Sequence, residues 1–163
     1  MVYLDLTESS LIPEGKCHLL VTDVEIGENH IIVNLDILAH ENELACGRQV
    51  RDMFNLTGKY AIRGQHFGLA CGIITEDDVK ASQAAGKGGI DIDFEKARLS
   101  TFFGTTKWSK DGKYCNVAWD YKHVDSPEAR DYPKNELFLK KAPKTGKKTK
   151  ITAKETEEVG EVF

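Results

Sequence analysis

The surest signal in the chain is a period of two. Ile31, Val33, Leu35 and Ile37 fall on one face of the run 31–37, with Ile32, Asn34 and Asp36 on the other. That alternation predicts a half-buried strand. A strand rich in valine and leucine is expected just before it, over 17–26, with Gly27-Glu28-Asn29-His30 as the turn. A third runs from about Arg48 to Leu56, with Val50, Phe54 and Leu56 inward and Arg51 and Met53 outward. After Thr57-Gly58 the spacing changes. Ile62, His66, Leu69 and Ile73 recur at helical intervals, predicting a helix over about 59–71 with His66 on its core face. Gly64 and Gly68 lower helical propensity there and suit close packing on a sheet. Residues 76–82 suit a further short helix, 83–89 a flexible loop and 94–99 a helical turn. Two apolar runs, 101–108 and 113–121, then flank Ser109-Lys110-Asp111-Gly112, where Asp-Gly marks a hairpin. In the last strand Cys115, Val117, Trp119 and Tyr121 share a face, which places Trp119 in the core.

The order is strand, strand, strand, helix, strand, strand. It predicts a mainly β domain with a minor helix: a five-stranded, OB-fold-like Greek-key barrel whose helix lies between the third and fourth strands. A split β-α-β fold needs a helix after its first strand, and the turn at Gly27 leaves no room for one. The barrel is assigned to residues 1–139, a lysine-rich flexible linker to 140–154, and an acidic, disordered tail to 155–163.

Charge follows the same division. Residues 1–139 hold 15 Lys+Arg against 22 Asp+Glu; 140–154 hold seven lysines and no acid; 155–163 hold four glutamates. An acidic body argues against a duplex-coating or histone-like protein, whose affinity comes mostly from phosphate neutralisation. A locally basic face is still open, and two segments offer one.

Six of the fourteen aromatics (Phe102, Phe103, Trp108, Tyr114, Trp119 and Tyr121) crowd into 102–121, interleaved with Lys107, Lys110, Lys113 and Lys122. Single-stranded nucleic acid is held by bases stacked on aromatic faces while cations follow the phosphates. Phe103 shares the outward parity of Lys107, Tyr114 lies outward beside the turn, and Trp108 flanks it. These three are the expected base contacts, with Lys107, Lys110 and Lys113 as phosphate contacts. Outward aromatics of a small barrel also pack against a tail or a partner subunit. The second segment surrounds the third strand, where Arg48, Arg51, Lys59 and Arg63 outnumber Asp52. In an OB barrel this strand borders the ligand face.

The final residues, Glu155-Thr156-Glu157-Glu158-Val159-Gly160-Glu161-Val162-Phe163, cannot bury enough apolar surface to fold alone. Glu157, Glu158, Glu161, Val162 and Phe163 therefore suit capture in a partner's pocket, the ring anchoring and the glutamates steering. In this tail the chain resembles single-stranded DNA-binding proteins of phages and bacteria. Pro13-Glu14-Gly15-Lys16, Gly47-Arg48, and Asp111-Gly112-Lys113-Tyr114 followed by Trp119-Asp120 also look like a phage early-gene family linked to replication and recombination. The resemblance implies an OB core that protects exposed single-stranded DNA without regard to sequence. It also implies recruitment of a polymerase, helicase or recombinase through the tail. The linker lysines suggest a switch, the tail occupying a basic groove until DNA displaces it.

Enzyme signals are weaker. Gly86-Lys87-Gly88 lacks the other elements of a phosphate-binding loop, and His40-Glu41 has no second histidine four residues on. Asp91, Asp93 and Glu95 would suit a metal-dependent nuclease only if they converged, and a solvated helix start explains them. Cys17, Cys46, Cys71 and Cys115 are far apart and are expected as buried or neutral thiols. No metal, cofactor or catalysis is expected. A β-barrel that binds only proteins is the alternative. No segment approaches a membrane span, and the start lacks the basic residues of a signal peptide. The expectation is a cytoplasmic protein, in the host cell's cytoplasm if phage-encoded. A homodimer is left open.

Overall fold

Ile31, Val33, Leu35 and Ile37 are each at most 1% exposed, as their period of two requires. They lie on β2 (His30–His40), which pairs antiparallel with β1 (Gly15–Ile26) through the turn at Gly27. These contacts belong to a computed structural model that describes residues 1–5 and 11–140. The expected linker from Lys141 and the tail 155–163, including Glu157, Glu158, Glu161, Val162 and Phe163, lie outside the described residues.

β3 (Gln49–Asn55) pairs with β2, β4 (Thr101–Trp108) with β1, and β5 (Cys115–Val117) with β4, all antiparallel. The sheet order is β3-β2-β1-β4-β5, and its two ends, β3 and β5, come into contact. The result is a nearly closed five-stranded barrel of OB-like order, with α1 (Ile62–Cys71) and α2 (Glu76–Ala84) between β3 and β4. A last helix, α3 (Glu136–Lys140), ends the described chain. No helix among the described residues is long and apolar enough to cross a membrane.

α1 begins at Ile62, three residues later than expected, because Gly58–Ala61 is taken up by a turn in which Ala61 N–H donates to Gly58 O. Its core face also differs. Phe67 is fully buried against Phe54 and Phe102, at ring distances of 4.8 and 5.4 Å, while His66 and Ile62 are exposed. A phenylalanine buries more area than a histidine, and the helix is turned by one position to place it. Gly64 and Gly68 lie on this buried face; a Cβ at Gly68 would come within 3.2 Å of Ile74 Cγ1. At Gly72, with φ of 76°, the chain enters the left-handed region and α1 stops. Residues 76–84 form a separate helix, opened by a reciprocal capping box between Thr75 and Asp78.

Three further expectations fail for local reasons. β3 ends at Asn55, so Leu56 is 40% exposed instead of inward. β5 is only three residues long, so Trp119 lies beyond the ladder and is 47% exposed. Phe103 does point to the opposite side of β4 from Phe102, but the segment that follows β5 folds over that side. There Phe103 is fully buried with Ala129 and Tyr132, its ring 4.7 Å from His18. Asp120 anchors this strap by accepting hydrogen bonds from Thr105 Oγ1 (2.5 Å) and Tyr132 OH (2.6 Å). His18 Nδ1 accepts from the Asn135 N–H, and burial pushes the ring's pKa down to about 4.

Candidate nucleic-acid interface

The seam where the barrel closes is held by side chains. Asp52, at an inward position of β3 between Val50 and Phe54, is 4% exposed. Its carboxylate accepts from Arg63 Nη2 at 2.8–2.9 Å and from Tyr121 OH at 2.6 Å. Arg63 extends from α1, also donating through Nε to Tyr121 OH (2.8 Å) and through Nη2 to Val117 O of β5 (2.5 Å). One guanidinium thus ties β3, β5 and the strap together. Burial raises the Asp52 carboxyl above its ordinary value, opposed by Arg63 and the Tyr121 hydroxyl. Burial and the adjacent carboxylate keep Tyr121 protonated as a donor.

Along this seam runs a groove of about 540 Å³, bounded by Arg51 and Met53 of β3 and by Trp108, Lys113 and Tyr114 of the β4–β5 hairpin. Gly112, with φ of 71°, makes the hairpin turn, and its N–H donates to Ser109 O. Tyr114 is 65% exposed. Trp108 is half-buried and fixed, its indole N–H donating to Ile12 O (2.8 Å) and its backbone N–H to Glu14 Oε2 (2.8 Å).

Met53 also bounds a second hollow of about 270 Å³, together with Tyr60, Arg63 and Trp119. A third, of about 490 Å³, begins at Asn55 and includes Thr57 and Lys59. Among the described residues that bound these three hollows, Asp52 is the one acid, and it is buried. Arg51, Lys59 and Lys113 set three cations along the strip, with Glu14 at its edge beside Trp108.

The expected ligand residues therefore divide. Arg51, Trp108, Lys113 and Tyr114 meet in one groove, and Lys59 stands further along the same side. Arg48 is half-buried in the turn before β3; burial, helped by Glu14, pushes the Cys115 thiol up to about 11, and Arg48 weakly opposes the rise. Lys107 is exposed opposite Asn116, which itself bounds the groove, and Lys110 sits at the hairpin tip. Arg63 is engaged in the seam and only 16% exposed at its side chain, so it does not serve as a free phosphate contact. Phe103, buried under the strap, is not a stacking surface.

Tyr60 and Trp119 were not expected at the site. An aromatic in the loop before a helix, and another just past a short strand, carry no periodic signal. Asp52 did leave one, a charge on the inward parity of a strand, which calls for a buried partner.

Asp93 caps the 3₁₀ turn Phe94–Ala97 through Glu95 N–H, and Glu95 pairs with Arg98 at 2.6 Å. With Asp91 they form no group of three metal-ligating side chains among the described residues. Cys17 is buried and Cys46 exposed. No family model, curated protein or solved structure matches this chain.

Proposed function

We propose that the protein binds single-stranded DNA without regard to sequence, in phage DNA replication, recombination or repair. The supporting observation is the groove between β3 and the β4–β5 hairpin, which gathers Trp108 and Tyr114 with Arg51 and Lys113 at the OB-like ligand face. Two ring systems suit bases and two cations suit phosphates, on a body that is net acidic. The reading is of a binding protein without catalysis.

The test is titration of labelled oligo-dT at low and moderate salt, followed by anisotropy. Binding that weakens as salt rises is expected. Tyr114→Ala should weaken it by roughly 5- to 150-fold, equivalent to losing one stacked base. Joint replacement of Arg51 and Lys113 by alanine should flatten the dependence of log affinity on log salt by about 1.4, two phosphate contacts being removed from a single strand. An unchanged slope would place the phosphates elsewhere.

The acidic segment 155–163 is proposed to recruit a polymerase, helicase or recombinase and to compete with DNA for the basic groove. Its removal is expected to tighten oligo-dT binding while abolishing recruitment. Affinity unchanged by the truncation would exclude competition. The acidic body favours a second reading, a protein-interaction barrel that never touches DNA. No oligo-dT binding at low salt, with or without 155–163, would leave that reading as the better account.

A further inference from the structure

The three hollows lie end to end because β3 carries their borders. Arg51, Met53 and Asn55 are successive outward positions, roughly 7 Å apart, and each adjoins one hollow or joins two.

The middle hollow has a built floor. Tyr60 and Trp119 are 51% and 47% exposed, yet their rings meet edge to face at 5.7 Å and 82°. Arg63 lies 5.6 Å from the Trp119 centroid, and Asp52, Tyr121 and Val117 O hold its guanidinium in place. A lone exposed tryptophan beyond a strand end would sample several rotamers. Here a fixed cation under the ring restricts it, so less ordering is required when a ligand arrives. Lys59, with Nζ 5.1 Å from the Tyr60 centroid, puts a second positive charge at the rim. Two oriented rings set at right angles beside cations, with no acid among the described residues that bound this hollow, fit a nucleobase and its phosphate.

We infer that Tyr60 and Trp119 form a second base-stacking station. The nucleic-acid strand follows the outward face of β3, from the Trp108–Tyr114 groove to Lys59. Arg63 is a positioning residue for Trp119. This rests on the proposed DNA binding and adds its path. A path no longer than β3 and the turn after it covers about four to six nucleotides, at the low end of what such barrels occupy.

The experiment uses the full chain and oligo-dT of increasing length. Trp108→Phe leaves Trp119 as the one tryptophan, and its fluorescence should be quenched as oligo-dT binds. Tyr60→Ala and Trp119→Ala should each weaken binding by about 5- to 150-fold, with Trp119→Phe retaining most of it. Affinity should level off near six nucleotides. If Trp119→Ala fails to fold, the Trp108→Phe reporter and Tyr60→Ala still decide the matter. Binding that depends on Tyr114 but not on Tyr60, with Trp119 fluorescence unmoved, would overturn the path and leave the DNA-binding function standing. No binding by the unaltered chain would overturn both.

Discussion

Arg63→Ala is expected to lower the unfolding free energy by about 3–5 kcal/mol, because it leaves Asp52 charged and buried without its cation. The Asp52 side chain is 2% exposed, so its charge depends on the guanidinium and the Tyr121 hydroxyl in place of bulk water. The same change removes the donor to Val117 O and one of the two bonds at Tyr121 OH, so β5 and the strap lose their tie to β3. The loss should depend on pH in a definite sense. A carboxyl whose folded pKa lies above its unfolded value, here 3.8, contributes its stability in full below that value. The contribution is lost as pH rises through the folded value. Arg63 opposes the upward push of burial, so its removal carries the folded value higher and extends the window of loss toward neutrality. Urea unfolding should therefore show a modest deficit near pH 4 and the full one at pH 7, partly relieved by adding Asp52→Asn. A deficit equal at both pH values would assign the cost to lost packing instead of a stranded charge.

Phe103→Ala should cost a similar amount, about 3–5 kcal/mol, without altering the oligo-dT affinity of the folded protein. The ring is fully buried, 4.7 Å from His18 and 5.8 Å from Tyr132, with the Lys134 ammonium 5.3 Å from its centroid. Alanine opens a cavity beneath the strap. His18 is held back from filling it by the hydrogen bond that its Nδ1 accepts from the Asn135 N–H. Thermal or urea unfolding reads the first effect and anisotropy at a temperature well below the transition reads the second. A large loss of affinity with stability intact would return Phe103 to the ligand surface.

Both predictions turn on features that the sequence discloses unevenly. β2 is legible because one face meets the core and the other meets solvent, so alternation survives in the residue types. Strand order and the position of the helices are legible through turn chemistry at Gly27 and Asp111-Gly112. The helix face is not, because Phe67 and His66 are adjacent and only the packed barrel decides which turns inward. Parity placed Phe103 on the outer side of β4 correctly. Nothing local reveals that the strap covers it, since that contact joins residues 18, 103 and 132, far apart in the chain. Trp119 is the converse case: extended alternation points it inward, but β5 stops at Val117 and the ring is left outside. At the candidate site, Arg51, Trp108, Lys113 and Tyr114 are legible as basic and aromatic residues near turns. Tyr60 becomes visible only once the loop before α1 is seen beside residue 119.

The inward carboxylate of Asp52 has a further effect on how the molecule tolerates crowding. β3 is an end strand of the sheet, and end strands are templates for aggregation. A foreign strand added there in place of β5 would displace Val117 from Arg63 and press apolar side chains toward a charge evolved to meet one guanidinium. Such an adduct gives up the Arg63 bonds to Asp52 and Val117, so an almost wholly buried residue disfavours the addition of a strand at this edge.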